Sequence, residues 1–265
     1  MSEKNTNIIK VLFIGDIVGK PGIEKVNREV PILKKEYNLD LVVANGENAA
    51  DGIGITSKEL SQLQANIDII TSGNHIWDKK EIIEIIDKEP YLLRPANYPE
   101  GTPGRSSAFF EVNYRHKVGI INLSGTVFMP VLASPFVIIQ KLIEKLKEEG
   151  CLCIIIDFHA EATSEKLALA HFVDGKVSAV LGTHTHVQTA DEKILTEGTA
   201  YITDVGMTGP KDSIIGVKKE LVLKRFLTQM PVKLAVAEGN SMLNGVVLEL
   251  DSKDGRALKI SRINI

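Results

Sequence analysis

The sequence predicts an α/β fold, and three observations carry the prediction. Short apolar runs rich in β-branched residues alternate with longer stretches of helical spacing, the rhythm of a sheet covered on both faces. The 265 residues, 44% of them hydrophobic, are enough to bury a full core. No internal repeat, low-complexity tract or linker divides the chain, so residues 1–265 are expected to form a single domain.

IIKVLFIG (8–15) opens the pattern as a strand, and residues 21–38 follow with helical spacing and Pro21 near their start, where a missing N–H costs little. LDLVVANG (39–46) is the next strand, 57–66 a helix and IDIITSG (67–73) a third strand. The pattern changes between 105 and 124, where SSAFFEVN, a polar turn at 114–116 and KVGIINLS predict an antiparallel hairpin; His116 and Asn122 are expected to be structural there. A helix over 135–149 leads into CLCIIIDF (151–158), another helix covers 164–172, and VSAVLG (177–182) is a further strand. KILTEGTAYITDVG, a helix near 218–228 and strands around 232–237 and 244–250 are expected to close the fold with antiparallel pieces, with a hairpin turn at 251–255. Residues 127–135 and 207–216 are expected as mobile loops at the sheet edge.

Composition excludes several classes. No apolar run approaches the roughly 20 residues of a membrane span. The start, MSEKNTNIIK, lacks the apolar stretch and small-residue cleavage site of an export leader, which predicts a cytoplasmic protein. Cys151 and Cys153 lie two apart in an apolar run, where strand alternation points both to one face; buried reduced thiols are expected, not a disulfide or a zinc pair. A net charge of -3 argues against a broad nucleic-acid surface, which needs clustered Lys and Arg. Homo-oligomerisation is left open.

The chemistry lies at the strand ends. Beyond IIKVLFIG comes Asp16; beyond LVVANG, Glu47 and Asn48; beyond IDIITSG, Asn74 and His75; beyond CLCIIIDF, His159; beyond VSAVLGT, His184 and His186. Loops at the carboxyl ends of parallel strands converge on one crevice, so these side chains are expected to meet. Singly, each has a plainer reading: Asp16 as a helix cap, Asn48 and Asn74 as turn residues, His116 and His171 as a hairpin-turn and a helix-face residue. Five separate strand ends all carrying ligand-type residues reverse that balance. Carboxylate, amide oxygen and imidazole without thiolate suit borderline divalent ions such as Mn, Fe or Zn. One ion takes about four to six ligands, so eight candidates imply two ions sharing a carboxylate. Glu47 is the expected bridge, because its long arm leaves a central strand beside that of Asp16. In His184-Thr185-His186, alternation along an extended segment is expected to set both imidazoles on one side with Thr185 turned away.

GDIVGKPG, NGEN, SGNHIWD, DFHAE, GTHTHVQTAD and ITDVGMTGP, in this order, resemble the calcineurin-like metallophosphoesterases, and specifically their bacterial YmdB-like branch. The resemblance runs from Lys10 to about Ser261. It implies an αββα sandwich of two mixed sheets flanked by helices, with a dinuclear centre at one end. It makes Asp16, Glu47, Asn48 and His186 ligands of one ion and Glu47, Asn74, His159 and His184 ligands of the other, with His75 the acid beside the pair. Two departures from the broad superfamily stand out: Val18 replaces the histidine of D-x-H, and Glu47 replaces an aspartate. Both fit the YmdB-like branch, with Asn48 filling the vacated position and making that site harder. Fe or Mn is preferred, with Zn as a further candidate.

Two divalent ions, two carboxylates and a bridging hydroxide leave a formal charge of roughly +1, which attracts an anion to a chain that is negative overall. The implied reaction is in-line attack of that hydroxide on a small phosphodiester, above all a cyclic nucleotide such as cAMP or a 2′,3′-cyclic mononucleotide, with His75 protonating the leaving oxygen. The base-facing pocket is expected from residues 52–56, Trp77 and 126–134, none of which selects a base. The competing readings are a regulatory protein that holds metal and nucleotide with little turnover, and a metal-dependent amide hydrolase.

Overall fold

The computed structural model describes residues 7–265. Its first half runs β1 (Ile8–Ile14), β2 (Asp16–Ile17), α1 (Gly19–Tyr37), β3 (Leu41–Asn45), α2 (Ser57–Gln64), β4 (Ile69–Thr71), α3 (Glu81–Ile85), β5 (Ser107–Val112), β6 (His116–Ser124) and α4 (Pro135–Glu148). Then come β7 (Cys151–His159), α5 (Thr163–Phe172), β8 (Ala179–Thr183), β9 (Lys193–Ile194), β10 (Ala200–Ile202), β11 (Met207–Pro210), α6 (Lys219–Thr228), β12 (Ser241–Met242), β13 (Asn244–Asp251) and β14 (Ala257–Asn264). One sheet has the order β14-β13-β1-β3-β4, the other β5-β6-β7-β8-β10-β9, and a small third one β12-β11-β2.

Period-two alternation sorts the side chains into layers. On β1, Ile9, Val11 and Phe13 join Val118 and Ile120 of β6, Ile155 of β7 and Leu181 of β8 in one buried cluster between the large sheets. Leu12 and Ile14, on the opposite face, pack with Ile23, Val26, Val30 and Leu33 of α1. On β7, Ile154, Ile156 and Phe158 turn outward to Ile139, Ile143 and Leu146 of α4 and Leu169 of α5. The result is the expected αββα sandwich. In the first sheet β1, β3 and β4 run parallel, and in the second β6, β7, β8 and β10 do, so each sheet collects several carboxyl ends.

At that edge the apolar interface gives way to buried polar groups that tie one sheet to the other. Asn122 of β6 donates to the Ser72 carbonyl at 2.9 Å and accepts from the Ser72 N–H at 3.1 Å. Asp157 of β7 accepts from Asn45 of β3 at 3.0 Å and from Thr71 of β4 at 2.5 Å. Asn122 thus has the structural role expected of it.

Several expectations fail for physical reasons. Cys151 and Cys153 face opposite sides: the pairs Lys117↔Cys151 and Val118↔Cys153 make Leu152 the extra residue of a β-bulge, which reverses the alternation. Cys151 joins the helix-side cluster and Cys153 the inter-sheet one. Residues 232–237 form no strand and are held through the single bridge Val217↔Val236. Met207–Pro210, expected within a mobile loop, is a buried strand that pairs parallel with Asp16–Ile17. β10 is parallel to β8 and antiparallel only to β9, so the closing segment is not uniformly antiparallel.

The cysteines remain free and buried, and burial pushes their thiols up to about 11 for Cys151 and about 12 for Cys153. Since the thiolate is the nucleophile, the native protein at pH 8 is expected to leave both unlabelled by Ellman's reagent over minutes, and guanidinium to release two. Rapid labelling of the native protein would contradict this packing.

Candidate metal centre

Each ligand-type side chain stands where a parallel strand stops. β1 ends at Ile14, and Gly15 lets the chain pass close to the 203–206 turn, because a Cβ there would lie 2.0 Å from the Gly206 carbonyl oxygen. Asp16 follows, buried, with its N–H on that carbonyl at 3.0 Å. It does not cap α1, whose N-cap is Val18 without a side-chain hydrogen bond. Glu47 and Asn48 follow β3, and both are buried. Asn74 and His75 follow β4 beyond Gly73, where a Cβ would meet the His159 ring at 2.3 Å and Glu47 Oε2 at 2.4 Å; only glycine admits both neighbours. His159 is the last residue of β7, and His184 follows β8.

All eight expected residues come together. His159 Nε2 is the hub, 2.9 Å from Glu47 Oε1, 3.1 Å from Asn74 Oδ1 and 3.0 Å from His184 Nδ1. The ligand atoms of Glu47, His159 and His184 lie within 4.8 Å of one another. On the other side of Glu47, the Asn48 amide is 3.3 Å from Glu47 Oε1 and 3.1 Å from His186 Nε2, and His186 Nε2 is 3.8 Å from Asp16 Oδ1. His75 joins through its backbone, donating its N–H to Glu47 Oε2 at 3.0 Å, while its ring turns to Asp78, Nδ1 to Oδ2 at 2.6 Å.

The outer nitrogen of every clustered imidazole already has an oxygen partner. His159 Nδ1 is 2.9 Å from Thr183 Oγ1, which donates to Asp157 at 2.7 Å. His184 Nε2 is 3.1 Å from Glu161, and His186 Nδ1 is 2.9 Å from the Ile215 carbonyl. Such partners fix tautomer and ring orientation and leave the inner nitrogen as a lone-pair donor, the arrangement a metal-binding histidine requires. Asp16 Oδ1 supplies the fit test: it is buried and has no hydrogen-bond partner among the described residues. A buried carboxylate oxygen that accepts no hydrogen bond is costly unless a cation meets it. Buried oxygen and imidazole donors without sulfur match a first-row divalent ion.

The electrostatics agree. Burial works to raise the Glu47 carboxyl, but the charge and hydrogen bond of His159 override it and hold the group down to about 2. Burial likewise opposes charge on His159, yet Glu47, Asp16 and Asp157 keep its proton up to about 9. Burial, then the His159 charge, pushes His184 down to about 3. Burial raises Asp16, and lifts Asp157 to about 7. These shifts all favour positive charge among the acids, where a metal ion would fit.

The His184–His186 turn departs from expectation. It is not extended: His184 has φ 99 and His186 φ 65, conformations that side chains rarely adopt. Backbone reversal, not alternation, sends one imidazole to His159 and the other to Asp16. Between them the Thr185 N–H donates to Asp204 Oδ2 at 3.0 Å; that carboxylate is itself paired with buried Lys166 at 2.8 Å and accepts the Gly206 N–H at 2.8 Å. Asp78, Asp157, Glu161, Lys166 and Asp204 were missed by sequence reasoning. Signals existed for three: Asp157 and Glu161 lie two residues either side of His159 in DFHAE, and Asp78 is one helical turn from His75.

A profile of the family described as YmdB-like protein matches residues 12–263. A 2′,3′-cyclic-nucleotide 2′-phosphodiesterase of Bacillus subtilis (strain 168) is 52% identical over 258 residues, 97% of this chain and 97% of the relative. A solved structure of a novel phosphatase from Mycoplasma pneumoniae is 38% identical, with a TM-score of 0.91 over 98% of this chain and 94% of its own. The 5′-nucleotidase precursor of Thermus thermophilus, 13% identical with a TM-score of 0.59 over 97% of this chain and 54% of its own, shares the metallophosphoesterase fold alone. Matched along almost its whole length by the profile and by the Bacillus relative, the chain belongs to the YmdB-like protein family.

Proposed function

We propose that this chain is a metal-dependent phosphodiesterase that opens small cyclic phosphodiesters, 2′,3′-cyclic nucleotides first among them. The observation that carries the reading is the oxygen and imidazole cluster around Glu47, with Asp16 Oδ1 buried beside it without a hydrogen bond. The Bacillus subtilis relative, 52% identical, supplies the substrate class. In this reading Asp16, Glu47, Asn48 and His186 hold one ion, and Glu47, Asn74, His159 and His184 the second, with Fe or Mn preferred for a donor set rich in oxygen. The ions, when bound, supply the positive charge and Lewis acidity that draw in the phosphoryl oxygens and activate water.

The chain's own residues do the rest. Glu47 neutralises both sites at once and, by accepting the His75 N–H, fixes His75 beside them. Asp78 holds His75 Nδ1 and leaves the opposite nitrogen, Nε2, to serve as proton donor to the substrate. That proton goes to the departing ribose oxygen; when the 2′-ester opens, the product keeps a 3′-phosphate. The Asp157–Thr183 pair keeps His159 from rotating, and Asp204 with Lys166 braces the turn that carries His184 and His186.

Saturable hydrolysis of 2′,3′-cyclic AMP, abolished by chelation and restored by added Mn, is the expected result. Binding of the same nucleotide with no turnover at any metal loading would overturn the enzyme reading and favour a regulatory nucleotide-binding role.

His75→Ala separates acid from ligand. General acid catalysis is worth about 10²- to 10⁴-fold and matters most for a basic leaving oxygen. The variant is expected to retain the wild-type metal content, lose activity in that range on the cyclic nucleotide, and lose far less on a p-nitrophenyl phosphodiester, whose leaving group is acidic. An equal loss on both substrates, or loss of metal, would remove His75 from the acid role.

A further inference from the structure

The three segments expected to face the nucleobase are not equally free. Trp77 stacks edge-on against Tyr98 with ring centroids 5.8 Å apart and packs on the α1-side core, and Ile55 is buried in that core. Phe128 is different: the residue is 89% exposed and its backbone has φ 60. A large aromatic side chain left in water on this loop is available to meet a ligand.

Its position is defined by the strand that precedes it. Ser124 at the end of β6 is in register with His159 at the end of β7, and the next residue, Gly125, donates its N–H to the His159 carbonyl at 2.8 Å. Phe128 is three residues farther on, so its backbone lies within about 11 Å of that bond. The segment between is tied down. The largely buried carboxylate of Glu165 in α5 accepts the Thr126 N–H at 2.9 and 3.2 Å, the Thr126 hydroxyl at 2.9 Å and the Val127 N–H at 3.3 Å. Gly125 leaves room for this close seat, because a Cβ there would lie 2.5 Å from that of Ala160 and 2.6 Å from Glu165 Oε2. A loop that follows a strand beside His159 is thus anchored through its last two residues before Phe128, whose side chain is left exposed to solvent.

We propose that Phe128 is the stacking platform for the nucleobase, and that it gives the enzyme its preference for cyclic nucleotides over baseless cyclic diesters. The inference rests on the phosphodiesterase reading above. An aromatic face accepts any base and binds the larger purines best, since stacking scales with the area covered. It accounts for base recognition at a site whose surrounding loops offer no side-chain pattern that selects adenine.

The test compares kcat/KM on adenosine 2′,3′-cyclic phosphate with that on glycerol 1,2-cyclic phosphate, which has the five-membered diester ring and no base. Phe128→Ala is expected to cut the nucleotide-to-glycerol ratio about 10-fold or more, through KM, whereas Phe128→Trp keeps it. A ratio in Phe128→Ala equal to that of the wild type would overturn the proposal, as would an equal fall in Phe128→Trp. If the wild-type protein with added Mn hydrolyses neither diester, the phosphodiesterase reading itself fails; if it hydrolyses both without preference, only the role of Phe128 does.

Discussion

Two carboxylates, Asp16 and Glu47, are buried in one crevice, and the interior of a protein does not keep bare negative charge without compensation. Much of the surrounding structure follows from that constraint. Fully buried His159 has its proton affinity raised against the tendency of burial, because it stands between these two acids. The oxygen of Asp16 that no donor reaches is the position that calls for a cation. A pair of buried acids that repel each other is costly in a protein core and suited to a metal site.

The rest of the fold serves to hold that arrangement. Two sheets, each contributing carboxyl ends, are locked by Asn45, Thr71, Ser72, Asn122 and Asp157 directly beneath the cluster, so first-sheet ligands keep a fixed distance from second-sheet ones. Gly15 and Gly73 are places where the chains approach too closely for any side chain. The strained turn at His184 and His186 is braced by the Lys166–Asp204 pair, whose charges are satisfied by each other and by backbone N–H groups. Strained backbone, buried charge and close backbone approach meet at this edge.

That division explains what could be read from the sequence. Strands such as IIKVLFI and LVVAN and the helix that follows each are set by local periodicity, and their ends bear Asp16, Glu47 and the other ligand-type residues as readable letters. Where packing depends on one extra residue, periodicity misleads: Leu152 reverses the two cysteines. Where a strand consists of two residues paired to a distant one, as Asp16–Ile17 is to Met207–Thr208, no local signal exists. His184 and His186 were legible as a pair, but the backbone reversal that separates their targets was not, because the turn is held by a contact to Asp204 that no local periodicity encodes. Supporting residues such as Lys166 look like ordinary helix-surface lysines until the fold buries them.

The claim that Glu47 is shared by two ions is tested most directly by metal content. Wild-type protein and Glu47→Gln, purified in parallel and dialysed against the same trace-metal buffer, are compared by plasma mass spectrometry. Two ions per chain in the wild type and loss from both sites in the variant are expected, because the amide removes the charge that both ions need. Two ions at undiminished occupancy in Glu47→Gln, with activity intact, would contradict the account.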